Sequence, residues 1–169
     1  MPPPLILDPA SLDFNHVVAD IDAIRAMNPQ RFEMEALTAI ILIDREKKTI
    51  VGYRDVNESD FWVRGHMPGF PLMPGVLLCE AAAQLCSYYV AKEKLFDSNY
   101  VGLGGLDEVR FRGMVRPGDR LVMVCQMIRE KRLMAQCYAQ GFVGNKMVFD
   151  GKVQGIPLRP SGSAETAKA

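Results

Sequence analysis

Between Val76 and Ala91 nearly every side chain is apolar or small, and Glu80 is the only charged residue in the run. A helix of this composition is buried on most of its circumference, unlike a surface helix with one apolar stripe. A single open sheet face cannot cover such a helix, so a sheet built by the rest of the chain has to curl around it. The stretch just before, Gly65-His66-Met67-Pro68-Gly69-Phe70-Pro71-Leu72-Met73-Pro74-Gly75, is a loop stiffened by glycine and proline that carries an imidazole. A carboxylate enclosed in the helix without a cation beside it is costly to ionise, which suits Glu80 to donate a proton.

The rest of the chain reads as strands around this centre. Val17, Val18, Ile21, Ile24 and Met27 recur at helical spacing and predict a short amphipathic helix behind a Pro-rich start, residues 1 to 14, expected to be loosely attached. Two β-branched stretches, Glu33 to Asp44 and Thr49 to Val56, flank the polar turn Arg45-Glu46-Lys47-Lys48 and predict a hairpin. Four more β-prone stretches are expected near 100–112, 120–130, 132–143 and 146–156. Their short connectors imply an antiparallel meander, because parallel pairing requires long crossovers. The last residues, 159 to 169, read as a disordered tail. The resulting expectation is an α+β fold: an N-terminal extension over 1–30, one domain over 31–158, and apolar surface left for a second subunit.

Charge and cysteine usage narrow the chemistry. Lys plus Arg and Asp plus Glu stand at 20 each, so no global field draws nucleic acid or an acidic membrane. The chain lacks a basic, apolar leader pattern, and the run from Val76 to Ala91 is short for a membrane span, so a cytoplasmic protein is expected. Cys79, Cys86, Cys125 and Cys137 show neither Cys-x-x-Cys spacing nor a histidine at ligand distance in sequence; they read as reduced core residues, and no metal site is expected. Cys79 adjoins Glu80, yet an apolar run is the wrong setting for a nucleophilic thiolate. His16 reads as structural.

Gly65, His66, Pro68, Pro71, Pro74, Gly75, Val76, Leu77, Glu80, Ala81, Ala83 and Gln84 follow one another in an order and spacing that resemble the signature of the 3-hydroxyacyl-acyl-carrier-protein dehydratases of the hotdog fold. A second block, Gly105-Leu106-Asp107-Glu108-Val109-Arg110-Phe111-Arg112 with Val115, Pro117, Gly118 and Asp119, resembles the same family. The resemblance runs from about Pro29 to Pro157 and implies a curled antiparallel sheet wrapped around one long central helix.

It also implies a reaction. Water is removed from a 3-hydroxyacyl thioester to give the trans-2-enoyl thioester, with no cofactor and no metal. His66 and Glu80 are then the catalytic pair, contributed to one site by different subunits of a homodimer, which can assemble further into a trimer of dimers. His66 takes the proton alpha to the carbonyl, and Glu80, or a water it holds, protonates the departing hydroxyl. Backbone N–H groups at Gly75 and Val76 face the thioester oxygen, and Gln84, one turn after Glu80, orients the carboxyl group. Singly, a loop histidine and a helix glutamate read as packing residues; together, with Pro74-Gly75 between them, they read as a site.

Acyl carrier protein, with its phosphopantetheine arm, is the partner so implied, and Arg110, Arg112, Arg116 and Arg120 form a candidate docking cluster for that acidic protein. A solvated strand face is the alternative use of those arginines. Met67 stands where the family usually has Phe, and Arg31-Phe32-Glu33-Met34-Glu35 replaces a Pro-Phe-Leu-Leu stretch, so acyl preference is expected to differ. Related isomerising dehydratases carry Asp at the position of Glu80. Hotdog thioesterase chemistry and a non-catalytic acyl-binding role are the two rival readings.

Overall fold

The computed structural model describes residues 3–159; all but Arg159 of the expected C-terminal tail lies outside them. Two helices, α1 (Ile21–Met27) and α2 (Gly75–Lys92), accompany six strands: β1 (Ala39–Asp44), β2 (Thr49–Asp55), β3 (Tyr100–Phe111), β4 (Arg120–Lys131), β5 (Met134–Val143) and β6 (Lys146–Leu158). They form one antiparallel sheet in the order β1-β2-β4-β5-β6-β3. The meander expectation holds for β4-β5-β6 and fails for β3, which is not hairpin-paired with β4 but lies at the far edge beside β6. The connector carrying Pro117-Gly118 instead bonds back to the end of β2, Gly118 N donating to Val56 O and Val56 N to Asp119 O.

Side chains of successive strand residues point to opposite sheet faces, and here both faces are used. Ile40, Ile50, Leu121, Met123 and Cys125 join α2 in the main core, while Ala39, Ile41, Val51, Tyr53, Val122, Val124 and Phe142 form a second cluster on the opposite face. Ile6, Leu7, Leu12 and Phe14 pack against that second cluster. The N-terminal segment is therefore not loose, as its composition suggested. Ile6 N donates to Gln140 Oε1 and Gln140 Nε2 donates to Pro4 O, at 2.9 and 2.8 Å, which pins the segment to a fully buried amide. Phe14 meets Tyr53 edge to face, and Arg120 stacks on Tyr53 while pairing with Asp55. The α1 helix starts later than expected. Val17 and Val18 precede it in an extended stretch, where Val18 N and Ala19 N donate to Ile40 O. The residues before Ala39 are likewise not strand but a 3₁₀ turn, Phe32–Met34, followed by an extended link.

The sheet curls around α2, whose Ala81, Ala82 and Leu85 are fully buried. Gly52 makes this contact possible, since a Cβ there would meet Leu85 Cδ1 and Ala39 O at 3.0 Å each. The helix is not buried all round, however: Val76 is 71% exposed, and Leu77, Glu80 and Ala83 are only half-buried, leaving one stripe uncovered. At the sheet margin β3 exposes Leu103, Leu106 and Phe111. All four cysteines are free and buried. Among the described residues no helix is long and apolar enough to cross a membrane.

Candidate active site

The loop between β2 and α2 holds His66 from both sides. Its N–H donates to Trp62 O at 2.8 Å, its carbonyl accepts from Leu72 N at 2.9 Å, and Nδ1 lies 2.6 Å from Leu72 O. A carbonyl oxygen can only accept, so Nδ1 carries the proton in this pair, and in the neutral ring Nε2 keeps its lone pair. Trp62, which anchors the turn before the histidine, is buried in the main core, and Met73 N donates to Val115 O at the other end of the loop. The spaced prolines thus lead to a loop tied down at both ends, with a half-buried imidazole between them.

Glu80 projects from the second turn of α2. It is half-buried rather than enclosed, and it borders two cavities, of about 80 and about 30 Å³. The larger runs between α2 and the β3-β6-β5 part of the sheet; the smaller lies between α2, the Met34–Ala36 segment and Trp62. Gln84 Nε2 donates to Glu80 Oε1 at 2.6 Å, so the expected pairing one turn along the helix is present. The amide does more than orient the carboxyl group. Gln84 Nε2 also donates to Met34 O at 2.7 Å, its Oε1 accepts from Ala36 N at 2.9 Å, and its backbone carbonyl accepts from Asn28 Nδ2 at 2.9 Å. The segment from Asn28 to Ala36 is stitched to the glutamate's helix through this one buried residue. Sequence reasoning did not find Asn28, which reads only as a residue ending α1 ahead of Pro29.

Gly75 is the first residue of α2; Leu77 N donates to Pro74 O at 2.9 Å, which leaves the N–H groups of Gly75 and Val76 unclaimed by the helix itself. The lack of a side chain at Gly75 makes room for an aromatic ring, since a Cβ there would lie 2.9 Å from Phe111. Val76 beside it stands in solvent. His66 borders neither of the two cavities that Glu80 borders.

The arginine cluster disperses. Arg112 forms an ion pair with buried Asp150, and Arg120 holds Asp55 through two bonds of 2.6 and 2.9 Å. In each pair the carboxylate holds the guanidinium's pKa above its usual value, chiefly by hydrogen bonding. Arg120 also belongs to β4, three strands from β3, so it sits roughly 14 Å from the strand bearing Arg110 at the usual inter-strand spacing. Arg110 is exposed and bonds only the neighbouring carbonyl of Val109, while Arg116 lies over the exposed Phe70 ring at 4.5 Å. Burial pushes the thiol pKa of Cys79 up, in keeping with a packing role.

A long helix wrapped by a curled six-stranded antiparallel sheet defines a hotdog-fold protein. Residues 28–152 match the FabA-like domain, and the chain belongs to that family. It is 31% identical over 134 residues to the 3-hydroxyacyl-[acyl-carrier-protein] dehydratase FabZ of Moorella thermoacetica, covering 79% of this chain and 93% of that protein. With the enzyme of the same name from Desulfotalea psychrophila it shares 34% over 136 residues, 79% of this chain and 90% of that one. Two solved structures share the fold at low identity. They are the dehydratase heterocomplex ApeI:P from Xenorhabdus doucetiae (TM-score 0.68, 14% identity, 81% of this chain and 91% of that one) and Cj0977 from Campylobacter jejuni (TM-score 0.61, 18% identity, 87% and 96%).

Proposed function

We propose that the protein dehydrates 3-hydroxyacyl thioesters carried on acyl carrier protein to trans-2-enoyl thioesters, as a step of fatty-acid synthesis. The observation that carries this reading is the state of His66: with Nδ1 committed to Leu72 O, Nε2 is the free lone pair that an alpha-proton base requires. Nε2 takes the proton from C2, the electron pair moves into a C2–C3 double bond, and the C3–O bond breaks. Glu80, directly or through a water, supplies the proton with which the hydroxyl departs as water. Gln84 holds that carboxyl group, and the larger of the two cavities it borders takes the acyl chain in this reading. N–H groups of Gly75 and Val76, at the positive end of α2, stabilise the charge that develops on the thioester oxygen.

The site is completed by a second copy of the chain. His66 borders neither Glu80 cavity within one protomer, and the unpaired β3 edge exposes Leu103, Leu106 and Phe111 beside the uncovered stripe of α2. Pairing of two such edges buries this surface and brings the histidine of one protomer to the glutamate of the other. Arg110 and Arg116, the two members of that cluster without a carboxylate partner among the described residues, are the carrier-protein contacts in this reading. The test is to incubate the purified protein with a 3-hydroxyacyl carrier-protein thioester and with its enoyl counterpart, following both by mass spectrometry. Interconversion by loss and gain of one water is expected. Release of free thiol would replace the reading with a thioesterase, and tight binding without conversion would replace it with an acyl-binding protein.

A further inference from the structure

Arg54, near the end of β2, joins the two irregular segments on which the catalytic pair rests. Its Nη1 donates to the carbonyl of Glu35 and its Nη2 to Asp60 Oδ1. Glu35 stands between Met34 and Ala36, whose carbonyl and N–H bond Gln84, and Gln84 in turn holds Glu80. Asp60 fixes the other segment. Its Oδ2 accepts from Asn57 N at 3.1 Å, its carbonyl accepts from Val63 N at 3.0 Å, and the next turn brings Trp62 O to the N–H of His66. Arg54, Asp60, Trp62 and Glu80 all border the smaller cavity. The ion pair is largely shielded from solvent, with the two side chains 21% and 11% exposed.

A guanidinium suits this place for a geometric reason. Its planar fork sends N–H bonds in fixed directions, here one to a carbonyl and one to a carboxylate, and it stays charged throughout the working pH range. Neither segment belongs to the sheet, so no ladder of strand bonds holds them at this point. Resting on the dehydratase reading, we propose that Arg54 is a positioning residue for the reaction, setting the support of Glu80 and the loop of His66 against one another. It does not border the larger cavity, which takes the acyl chain, so its effect falls on the chemical step and not on binding. A misplacement of about 1 Å in a catalytic group is enough to cost roughly 100-fold in rate. Because the proposed sites draw their histidine and glutamate from different protomers, one arginine sets the acid of one site and the base of the other.

The test compares the full-length wild type with Arg54→Ala, Arg54→Lys and Asp60→Asn in the dehydration of 3-hydroxybutyryl-pantetheine. Arg54→Ala should lower kcat per folded molecule by about 10- to 100-fold and leave KM within about 3-fold. Guanidinium ion, added well below denaturing concentration, should restore part of that kcat by filling the vacated place, whereas urea, of the same shape and uncharged, should not. Asp60→Asn should lower kcat too, and adding it to Arg54→Ala should cost little more than the arginine change alone, since the two act as a unit. Arg54→Lys keeps the charge without the fork and carries the same kcat and KM reading should the alanine variant fail to fold. Hydrogen exchange reads the clamp without turnover: in Arg54→Ala the amides of residues 34–36 and of 63–66 should both exchange about 10-fold faster, with those of β4 and β5 unchanged. Unchanged kcat, a loss confined to KM, rescue by urea as well as by guanidinium, or faster exchange in only one of the two segments overturns the proposal. A wild type without turnover whose variant loosens both segments would sink the dehydratase reading and leave the clamp standing; an active wild type with an equally active Arg54→Ala would do the reverse.

Discussion

The two ends of the sheet differ in how completely one chain finishes them. In the β1-β2-β4 half both faces are covered, by α2 within and by the strap of Ile6, Leu7, Leu12 and Phe14 without. At the other margin β3 is bonded on one side only and turns Leu103 and Leu106, 51% and 40% exposed, to solvent. The closed half is a scaffold whose stability is intrinsic to the protomer. The open edge lies beside the helix stripe bearing Val76, Glu80 and Ala83, where the proposed chemistry sits. Substitutions in the first should therefore change folding free energy, and substitutions in the second should change assembly and turnover.

The largest expected effect is at the open margin. Leu106→Lys places a charge on the edge strand and should convert the proposed dimer to folded monomers with activity lowered about 100-fold or more, read by sedimentation and by enoyl formation. Monomers with wild-type turnover would break the contrast between the two regions. Next, Leu85→Ala removes a fully buried side chain that rests on Gly52 and should cost about 2–5 kcal/mol in a urea melt, with turnover per folded molecule little changed. Phe14→Ala loosens the strap from Tyr53 and Arg120 and should cost about 1–2 kcal/mol, because the site is only half-buried. No loss there would return the N-terminal segment to a loose tail. The smallest effect on folding is at Arg110, exposed and without a carboxylate partner among the described residues: Arg110→Glu should leave the melt within about 0.5 kcal/mol. It should nonetheless weaken binding to the carrier protein and flatten its salt dependence. Unchanged binding would remove this residue from the docking surface.

Much of this organisation was legible in the residues. The apolar run from Val76 demanded a wrapped helix, and the Gly/Pro loop before it marked the histidine, because both signals are local. The hairpin boundaries followed from polar turns for the same reason. The position of β3 was not legible, since the chain crosses by way of the connector 112–119 and its pairing with β6 depends on which edge remains free once β2 has paired with β4. The strap was misread because its anchor, Gln140, is 134 residues from Ile6 in sequence. Proline-rich composition describes only what the segment does by itself. Runs such as Leu121 to Cys125 did carry a clue, for an apolar strand without alternation is buried on both faces and something has to cover the second. At the site, the Glu80–Gln84 pair was legible from helix periodicity. The role of Asn28 was not, because it depends on where an irregular segment crosses α2.

The account rests on the histidine and the glutamate meeting across two protomers, and subunit exchange tests that most directly. His66→Ala and Glu80→Gln homodimers should each be folded and nearly inactive. Mixed and allowed to exchange, half of the dimers become hybrids, and each hybrid holds one site with both wild-type groups. Enoyl formation should then recover to about a quarter of the wild-type rate, as two-fold symmetry requires. Hybrids present by native mass spectrometry with no recovered activity would contradict it.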